Sequence, residues 1–390
     1  MKAVLKSKDL KINKTNWTTV KFGDVVFEPK ESTKNPVEDG IEHIVGLEYI
    51  TSGDIHLRKS ASIEEATTFT KKFAKGDVLF GRRRAYLKKA AQAEFNGICS
   101  GDITVFRAKE ILLPELLPFI VNNDKFFDYA VKHSAGGLSP RVKFKDLAKY
   151  EFLLPPKDQQ AKLAKLLWAM DEVIEKEKEV LERLELFQKV KINNFFNQKE
   201  SSFAYKKLGD VCIVERGGSP RPIADYITND DNGLNWIKIG DVELESKYIT
   251  KTKQKIKPSG LNKTRYVYRG DLILSNSMSF GRPYILKIDG CIHDGWLVIQ
   301  DKNNIFDKEY LYYYLNSEVI YEQFKKFAAG GVVSNLNKEI VKTLKVYIPP
   351  VNSQIKIREE LFFLDERNRL LKNKIECSKK LQKSLINQIL

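Results

Sequence analysis

The chain has 390 residues, of which 42% are hydrophobic and 11% aromatic, and this composition is typical of a folded protein with room for two or three domains. No apolar run reaches the roughly 18 to 20 residues that span a bilayer, and the amino-terminal stretch lacks the apolar core of a secretory signal, so we expect a cytoplasmic protein outside the membrane. The formal net charge of +15 favours an anionic partner such as nucleic acid.

The four cysteines and four histidines form no recognisable ligand pattern. The cysteines stand far apart without a C-x-x-C pair, and the histidines show no H-x-x-x-H spacing. Each of these residues is therefore expected to be an isolated core or surface side chain. We expect no disulfide framework, no metal site and no bound cofactor.

The first region, residues 1–152, is strand-rich with one helical stretch. The stretch "KGDVLFGRRRAYL" at 75–87 predicts a Gly-Asp turn, a short apolar strand and a basic loop. Further on, "LLPELLPFIVNNDKFFDYAVKHSAGG" predicts helices ended by glycine, and "LSPRVKFKDL" follows it. These signals together predict a mixed α/β domain.

A long helix is predicted in residues 153–200, where "FLLPPKDQQAKLAKLLWAMDEVI" opens it at 152 to 174. The prolines stand just before the helix start, and Asp158 is the predicted N-cap. Apolar residues recur at spacings of three and four, which predicts a seam of coiled-coil type. The predicted seam consists of Leu166, Leu167, Met170, Val173, Ile174, Val180, Leu181, Leu184, Phe187 and Phe195.

The chain then repeats this organisation. A single offset of 194 residues aligns most of the second copy with the first. The second copy comprises a second mixed domain at 201–346 and a second long helix at 347–390. The matches at this offset include Pro155 with Pro349, Gln160 with Gln354, Asp171 with Asp365, and the AGG at 135–137 with the AGG at 329–331. Asn352 is the N-cap equivalent to Asp158. Only the start of each domain needs a different offset, and the second copy carries eight extra residues.

The apolar seams of the two long helices need a partner, and each is suited to the other. If the helices pair antiparallel, the domains are related by pseudo-two-fold symmetry. The fold class expected is α+β, with two tandem mixed α/β domains, each followed by a long helix, and the helices form an antiparallel coiled coil. Each helix would be roughly 60 Å long, which suits the half-site separation of dimeric DNA-binding proteins.

This pattern of two domains, each with A-G-G, then a strand into PP-x-x-x-Q and a long helix with an Asp-Glu step, resembles the specificity (S) subunit of type I restriction-modification systems. The resemblance covers essentially the whole chain and includes "KLGDV" at 207–211, "WIKIGDV" at 236–242 and "YLYYYL" at 310–315. The first copy departs from it with "EPKESTKNP" where the second has "ERGGSPRP".

The resemblance implies two target recognition domains, each reading one half of a bipartite site in double-stranded DNA. It also implies that the helices set the spacing and bind two methyltransferase (M) subunits, with nuclease/translocase (R) subunits joining through the complex. The alternative is a stand-alone structural or regulatory DNA-binding protein that self-associates through its helices.

Candidate DNA-contacting residues lie in polar or basic loops at equivalent places in the two copies. Arginine is the commonest ligand of bases and phosphates, and Asn, Ser and Lys also read base edges. The candidates are Arg82, Arg83, Arg84, Tyr86, Ser139, Arg141 and Lys143 in the first copy and Arg221, Asn276, Ser277, Ser279, Arg282, Asn335 and Asn337 in the second. The alternatives for each loop are a solvated charge run or sequence drift after duplication.

Catalytic motifs are absent from the sequence. The Pro-Pro pairs are "LPPK" and "IPPV", so the [NDS]-P-P-[YFW] loop that holds a flipped base in amino-methyltransferases is missing. No G-x-x-x-x-G-K-[ST] loop for ATP and no G-x-G-x-x-G after a strand occurs. We therefore expect a non-catalytic recognition subunit.

Overall fold

The computed structural model describes residues 13–62, 68–197, 205–242, 246–276, 281–329 and 336–390. The candidates Ser277, Ser279 and Asn335 lie outside the described residues. The chain forms two compact units, a first unit of Met1–Glu179 with Asn373–Leu390 and a second unit of Val180–Lys372. None of the helices in the described residues is long and apolar enough to cross a membrane.

The helices and strands of the described residues are numbered in chain order. The helices are α1 (Phe22–Val25), α2 (Leu117–Val121), α3 (Asp124–Lys132), α4 (Phe144–Leu147), α5 (Lys157–Phe196), α6 (Leu208–Val211), α7 (Lys308–Leu315), α8 (Glu318–Ala329), α9 (Lys338–Thr343) and α10 (Val351–Ile389). The strands before α5 are β1 (Thr18–Lys21), β2 (Val26–Phe27), β3 (His43–Val45), β4 (Ala61–Ser62), β5 (Lys71–Phe73), β6 (Val78–Gly81), β7 (Ala90–Gln92), β8 (Gly97–Cys99), β9 (Ile103–Ala108) and β10 (Glu151–Leu154). The strands after it are β11 (Tyr205–Lys207), β12 (Cys212–Arg216), β13 (Ile227–Thr228), β14 (Leu234–Ile237), β15 (Tyr248–Ile249), β16 (Gln254–Ile256), β17 (Arg265–Val267), β18 (Leu272–Ser275), β19 (Pro283–Leu286), β20 (Gly290–Ile292), β21 (Trp296–Asp301) and β22 (Lys345–Tyr347).

The first unit is built on two four-stranded sheets of order β2-β9-β6-β7 and β4-β3-β8-β5, with β1 and β10 forming an antiparallel pair. Its main core is aromatic, with the rings of Phe22 and Phe106 at 5.1 Å and those of Phe80 and Phe126 at 5.7 Å. Ile386 and Ile389 of α10 are buried in the same core. The end of the second long helix therefore completes the core of the first unit.

The second unit repeats this plan with two five-stranded sheets of order β12-β21-β18-β19-β15 and β13-β16-β14-β20-β17, and with β11 paired to β22. Its main core receives Phe196 from the end of α5, whose ring lies 4.8 Å from that of Tyr314. Each unit thus closes its core with the end of the other copy's helix, and the predicted α+β class with two tandem mixed domains is confirmed.

The predicted Gly-Asp turn at 76–77 is present, and so is its equivalent at 270–271, 194 residues later. Gly76 and Gly270 have φ of 93° and 90°, a left-handed conformation that glycine adopts without a Cβ clash. The side chain of Asp77 accepts from the backbone N–H of Ala74 at 2.8 Å, and Asp271 accepts likewise from Tyr268 at 2.9 Å. The carboxylates close the turns that lead into β6 and β18.

The two long helices pair antiparallel in each unit, as predicted. In the first unit, Glu177 of α5 accepts from Ser378 Oγ at 3.0 Å, and residues nearer the start of α5 meet residues nearer the end of α10. In the second unit Gln188 of α5 donates to Asp365 of α10 at 2.6 Å, and Lys191 donates to Glu360 at 3.1 Å.

The predicted apolar seam of α5 is only partly correct. Leu167 and Ile174 are buried, but Val173, Val180 and Phe187 are 51%, 54% and 49% exposed. Neighbouring residues on a helix are about 100° apart around its axis, so both members of a pair such as Val173 and Ile174 cannot face the partner helix. Other contact positions, such as Asp171, Glu177 and Gln188, are polar, which explains why apolar spacing alone overestimated the seam.

The predicted N-caps are also wrong. Helix α5 begins at Lys157 and α10 at Val351, so Asp158 and Asn352 are the second residues of their helices. The carbonyl of Pro156 accepts from the backbone N–H groups of Gln159 and Gln160, each at 2.9 Å. The second proline of each pair therefore occupies the cap position, where its missing N–H has no structural cost.

The glutamine of PP-x-x-x-Q explains why this motif occurs twice. Gln160 and Gln354 are 1% and 0% exposed, and each side chain makes three hydrogen bonds to the backbone. Gln160 accepts from Leu113 N and donates to the carbonyls of Ile111 and Pro155, at 2.8, 3.1 and 3.0 Å. Gln354 accepts from Asp307 N and donates to the carbonyls of Ile305 and Pro349, at 2.8, 2.9 and 2.9 Å. The glutamine side chain thus hydrogen-bonds the start of the long helix to the loop after β9 in the first unit and to the loop after β21 in the second.

Candidate nucleic-acid interface

Three loops of the first unit meet where β8 leaves one sheet and β9 enters the other. The backbone N–H of Arg82 donates to the carbonyl of Asp102 at 2.9 Å, and the N–H of Val142 donates to the carbonyl of Arg82 at 3.1 Å. These bonds bring the loop after β6 and the loop before α4 onto the turn at 100–102. Residues far apart in the sequence are thereby held together.

Asp102 lies at the centre of this junction. Its carboxylate accepts from Arg141 Nε at 2.8 Å and from Arg83 Nη1 at 3.1 Å. Burial by itself would raise the pKa of Asp102, but the hydrogen bonds from Arg141 and Arg83 outweigh it and hold the pKa below its ordinary value. The carboxylate is therefore ionised and fixes two guanidinium groups.

Ser139 connects the remaining arginines to the same junction. Its hydroxyl accepts from Arg83 Nη2 at 3.0 Å and from Arg84 Nη2 at 3.4 Å. Arg84 is exposed, has a left-handed φ of 53°, and is anchored through its backbone N–H to the carbonyl of Pro140 at 2.8 Å. We call Arg83, Arg84, Asp102, Ser139 and Arg141 the Asp102 cluster.

The other candidates of the first unit adjoin this cluster. Arg82 is half-buried and its Nε donates to the carbonyl of Val142 at 3.2 Å, so this side chain supports the loops. Tyr86 is 53% exposed on a single 3₁₀ turn, and Lys143 is exposed at the start of α4. The structure therefore gathers the candidates of the first unit in one region.

The second unit has the same backbone junction. Asn276, the equivalent of Arg82, donates its N–H to the carbonyl of Gly295 and accepts from Leu336 N, each at 3.0 Å. Its side chain is 3% exposed and donates to the carbonyl of Asp294 at 3.0 Å. Asn276 is thus a supporting residue of the junction.

The remaining described candidates of the second unit do not contact one another. Asn337 accepts from the N–H of Ile340 at 2.9 Å and caps α9. Arg282 lies with its guanidinium carbon 5.7 Å from the ring centroid of Tyr284, and Arg221 is exposed. Within the described part of this unit, the predicted residues form no cluster like that around Asp102.

Sequence reasoning missed the turn at 293–295, which is the centre of the second junction. Asp294 Oδ1 accepts from Ser219 Oγ at 3.0 Å and lies 2.9 Å from His293 Nε2. A Cβ on Gly217 would lie 2.3 Å from the carbonyl oxygen of His293, so only glycine allows this approach. The G-G-S-P stretch was the available signal, because it marks a loop that passes close to another backbone.

Basic groups surround this turn. Burial lowers the pKa of His293, Asp294 raises it, and the positive charges of Lys238, Arg221 and Arg216 lower it further. The net direction is downward, so His293 is neutral near pH 7. The turn therefore combines an imidazole, a carboxylate and several cations in one half-buried place.

A family model described as the type I restriction modification DNA specificity domain matches residues 14–186 and again residues 200–377. The chain belongs to this family. The two matched segments correspond to the two copies seen in the sequence, so each copy is one specificity domain.

Individual relatives agree with this assignment. The type I restriction enzyme MjaVIII specificity subunit of Methanocaldococcus jannaschii is 22% identical over 317 residues, which cover 75% of this chain and 73% of that protein. A chain from a structural study of complex assembly and conformational transition in the type I R-M system has a TM-score of 0.65 at 22% identity, with 96% of this chain and 97% of that chain covered. The type I restriction-modification S subunit from M. genitalium has a TM-score of 0.57 at 14% identity, with 97% of each chain covered. These structures share the fold.

The first specificity domain also holds a polar network that sequence spacing did not indicate. His56 lies 2.6 Å from Asp171 of α5 through Nε2 and 2.9 Å from Glu94 through Nδ1, so it is not an isolated side chain. Its Nε2, Asp171 and Glu175 could present a metal with three ligand atoms within 4.8 Å of one another. However, Glu175 already accepts from Arg58 at 2.8 Å and from Lys178 at 2.7 Å. Two cations beside these ligand atoms disfavour a metal ion, and the network joins the domain to its helix instead.

Proposed function

We propose that this chain is the DNA sequence-recognition subunit of a type I restriction-modification complex, and that each unit reads one half of a bipartite site in double-stranded DNA. Membership of the DNA specificity family across both copies supports recognition of a DNA sequence. The duplication supports a bipartite site, since two domains with one frame and different loop side chains can read two different sequences.

In this proposal the paired helices set the distance between the half-sites and bind two methyltransferase (M) subunits. Nuclease/translocase (R) subunits join through that complex, and the chain itself catalyses neither methylation nor cleavage. Antiparallel pairing within each unit supports the spacing role, because a continuous helix has a fixed rise of about 1.5 Å per residue. Exposed apolar residues on the helices, such as Val173 and Phe363, support a role in binding partner chains.

The Asp102 cluster is the observation that carries the DNA-contact proposal for the first unit. Asp102 and Ser139 hold Arg83 and Arg141 in place, and Arg84 is presented to solvent beside them. A guanidinium held in one orientation loses less entropy on binding and can donate two parallel hydrogen bonds to a phosphate or to guanine. Tyr86 and Lys143 would extend this contact surface, while Arg82 and Asn276 would support the loops.

The salt dependence of binding tests this proposal. Arg84→Ala in the full chain should weaken binding to duplex DNA and lower the slope of log K against log salt by about one, because one phosphate contact is lost. Lys75→Ala is the matched control, since Lys75 is also exposed and basic but precedes β6, whereas Arg84 follows it. An unchanged slope for Arg84→Ala would show that this arginine only faces water.

A further inference from the structure

The backbone carbonyl of Asp294 in the second unit is held in place by two hydrogen bonds. Its carbonyl oxygen accepts from Arg216 Nε at 2.8 Å and from Asn276 Nδ2 at 3.0 Å. Arg216 is the last residue of β12 and Asn276 directly follows β18, so two strands of the sheet β12-β21-β18-β19-β15 hold the turn. The position of the Asp294 side chain is therefore set by the rigid part of the domain.

The carboxylate of Asp294 is held as firmly on one side. His293 Nδ1 accepts from the N–H of Gly295 at 2.9 Å, which leaves the proton of a neutral imidazole on Nε2. Ser219 Oγ donates to Asp294 Oδ1 at 3.0 Å, and His293 Nε2 lies 2.9 Å from the same oxygen. No hydrogen bond to Oδ2 occurs among the residues that the structure describes, and the side chain is 34% exposed. Within the described part of the chain, one acceptor oxygen is thus held in position without a hydrogen-bond partner.

A free carboxylate is unexpected in a surface that binds DNA. Phosphates repel it, and the neighbouring Arg216, Arg221 and Lys238 would attract those phosphates. The repulsion is offset only if the carboxylate accepts a hydrogen bond from the DNA itself. Base edges offer few donors in the major groove, namely the exocyclic amino groups of cytosine and adenine.

The chemistry of these two bases separates them. Cytosine offers its N4 amino group, to which carboxylates bind as acceptors. Adenine places the acceptor N7 beside its N6 amino group, which suits an amide that donates and accepts but repels a group that can only accept. A fixed carboxylate oxygen that accepts a hydrogen bond therefore favours cytosine.

We propose that Asp294 determines specificity in the second unit by accepting a hydrogen bond from the N4 amino group of one cytosine, with Ser219 and His293 as positioning residues. The inference rests on the proposed function, because it assumes that this unit reads DNA. It predicts that one position of the second half-site is a cytosine.

Selection of bound sequences from a library of random DNA duplexes tests the assignment. The full wild-type chain should select a bipartite motif with a cytosine at one position of the second half-site. Asp294→Asn should admit adenine at that position, because an amide both donates and accepts, and the preference for cytosine over adenine should fall about tenfold or more. Ser219→Ala should weaken the same preference to a smaller degree, since the hydrogen bond that holds Oδ1 is lost while the contact with His293 remains.

Glu215→Gln is the matched control. It also removes a negative charge from β12 near the turn, where Glu215 pairs with Arg265 at 3.4 Å and Lys338 at 3.5 Å. This variant should bind all duplexes more tightly and should still select the wild-type motif. Selection of that motif would also show that the domain of the variant is folded.

The remaining outcomes separate two failures. A wild-type chain that selects no motif would contradict the proposed function itself. A bipartite wild-type motif that Asp294→Asn leaves unchanged would overturn only the cytosine assignment. Loss of the whole second half-site in Asp294→Asn would overturn it too, because Asp294 would then be a structural residue of the domain.

Discussion

The turns at 100–102 and 293–295 occupy the same place in the two units and use opposite chemistry. In the first unit the carboxylate of Asp102 binds Arg83 and Arg141, so the charged groups offered to solvent are guanidiniums. In the second unit the carboxylate of Asp294 accepts from Ser219 and lies beside a neutral His293, and its other oxygen has no hydrogen bond among the described residues. The same junction thus presents donors in one copy and an acceptor in the other.

The backbone explains how one frame allows both solutions. The N–H and carbonyl groups of Arg82 and Asn276 make equivalent hydrogen bonds, although one side chain is a cation and the other an amide. Backbone hydrogen bonds need no particular side chain, so they survive substitutions that change the chemistry of the loop. Duplication followed by divergence can therefore alter what is read without altering how the loops are held.

The largest effect is expected where the two units are alike. Gln160→Leu and Gln354→Leu should each lower the free energy of unfolding by about 3 kcal/mol or more, because each leaves one buried N–H and two carbonyls without their partner. Chemical denaturation monitored by circular dichroism measures the change. Equal losses in the two variants would support a shared frame.

The exposed Gln388 at the end of α10 provides the control for these variants. Gln388→Leu should change the free energy of unfolding by no more than about 0.5 kcal/mol. A large loss in only one of the two buried-glutamine variants would show that the units no longer depend on the same contact.

A smaller and one-sided effect is expected for Asp102→Asn. The amide cannot hold two guanidinium groups as the carboxylate does, so Arg83 and Arg141 lose their fixed orientation. Selection from random duplexes should show about tenfold weaker preference at more than one position of the first half-site. The second half-site should be unchanged, and a change confined to a single position would contradict the clustered role of these arginines.

The smallest effect concerns pH, and it has opposite signs in the two units. The hydrogen bond to Asp171 raises the pKa of His56 above its ordinary value of 6.5 despite burial, whereas burial and nearby cations lower the pKa of His293 below 6.5. His56 therefore contributes stability that is complete below pH 6.5 and is lost as the pH rises through its folded-state pKa. The stability associated with neutral His293 is complete above pH 6.5 and is lost as the pH falls.

Thermal unfolding between about pH 5.5 and pH 8 checks these signs through the variants His56→Asn and His293→Asn. Relative to wild type, His56→Asn should cost most at the acidic end, and His293→Asn should cost most at the alkaline end. If the profiles of both variants ran parallel to wild type, neither histidine would couple its protonation to folding.

Sequence periodicity and spacing predicted much of the frame. The single offset of 194 residues aligned Gln160 with Gln354 and Asp171 with Asp365. In the structure the two glutamines bond to backbone groups at equivalent positions of the two copies. The Gly-Asp turns and the antiparallel helices were predicted correctly, because turn geometry and helix pairing depend on local residue types and on repeated apolar spacing. The seam was only partly correct and the N-caps were wrong, since burial of a helix face and the position of the first helical residue depend on what packs against them.

The sequence by itself determined that this protein is a duplication of a mixed domain and a long helix, and it marked the arginine-rich loop of the first copy. Only the tertiary structure decided which polar residues act together. Asp102 meets Arg141, and Ser219 meets Asp294, across many intervening residues, because strands from two sheets bring separate loops to one junction. The physical reason is that side-chain hydrogen bonds act over about 3 Å, and nearness in space on that scale is set by the packing of the sheets and not by the order of the residues.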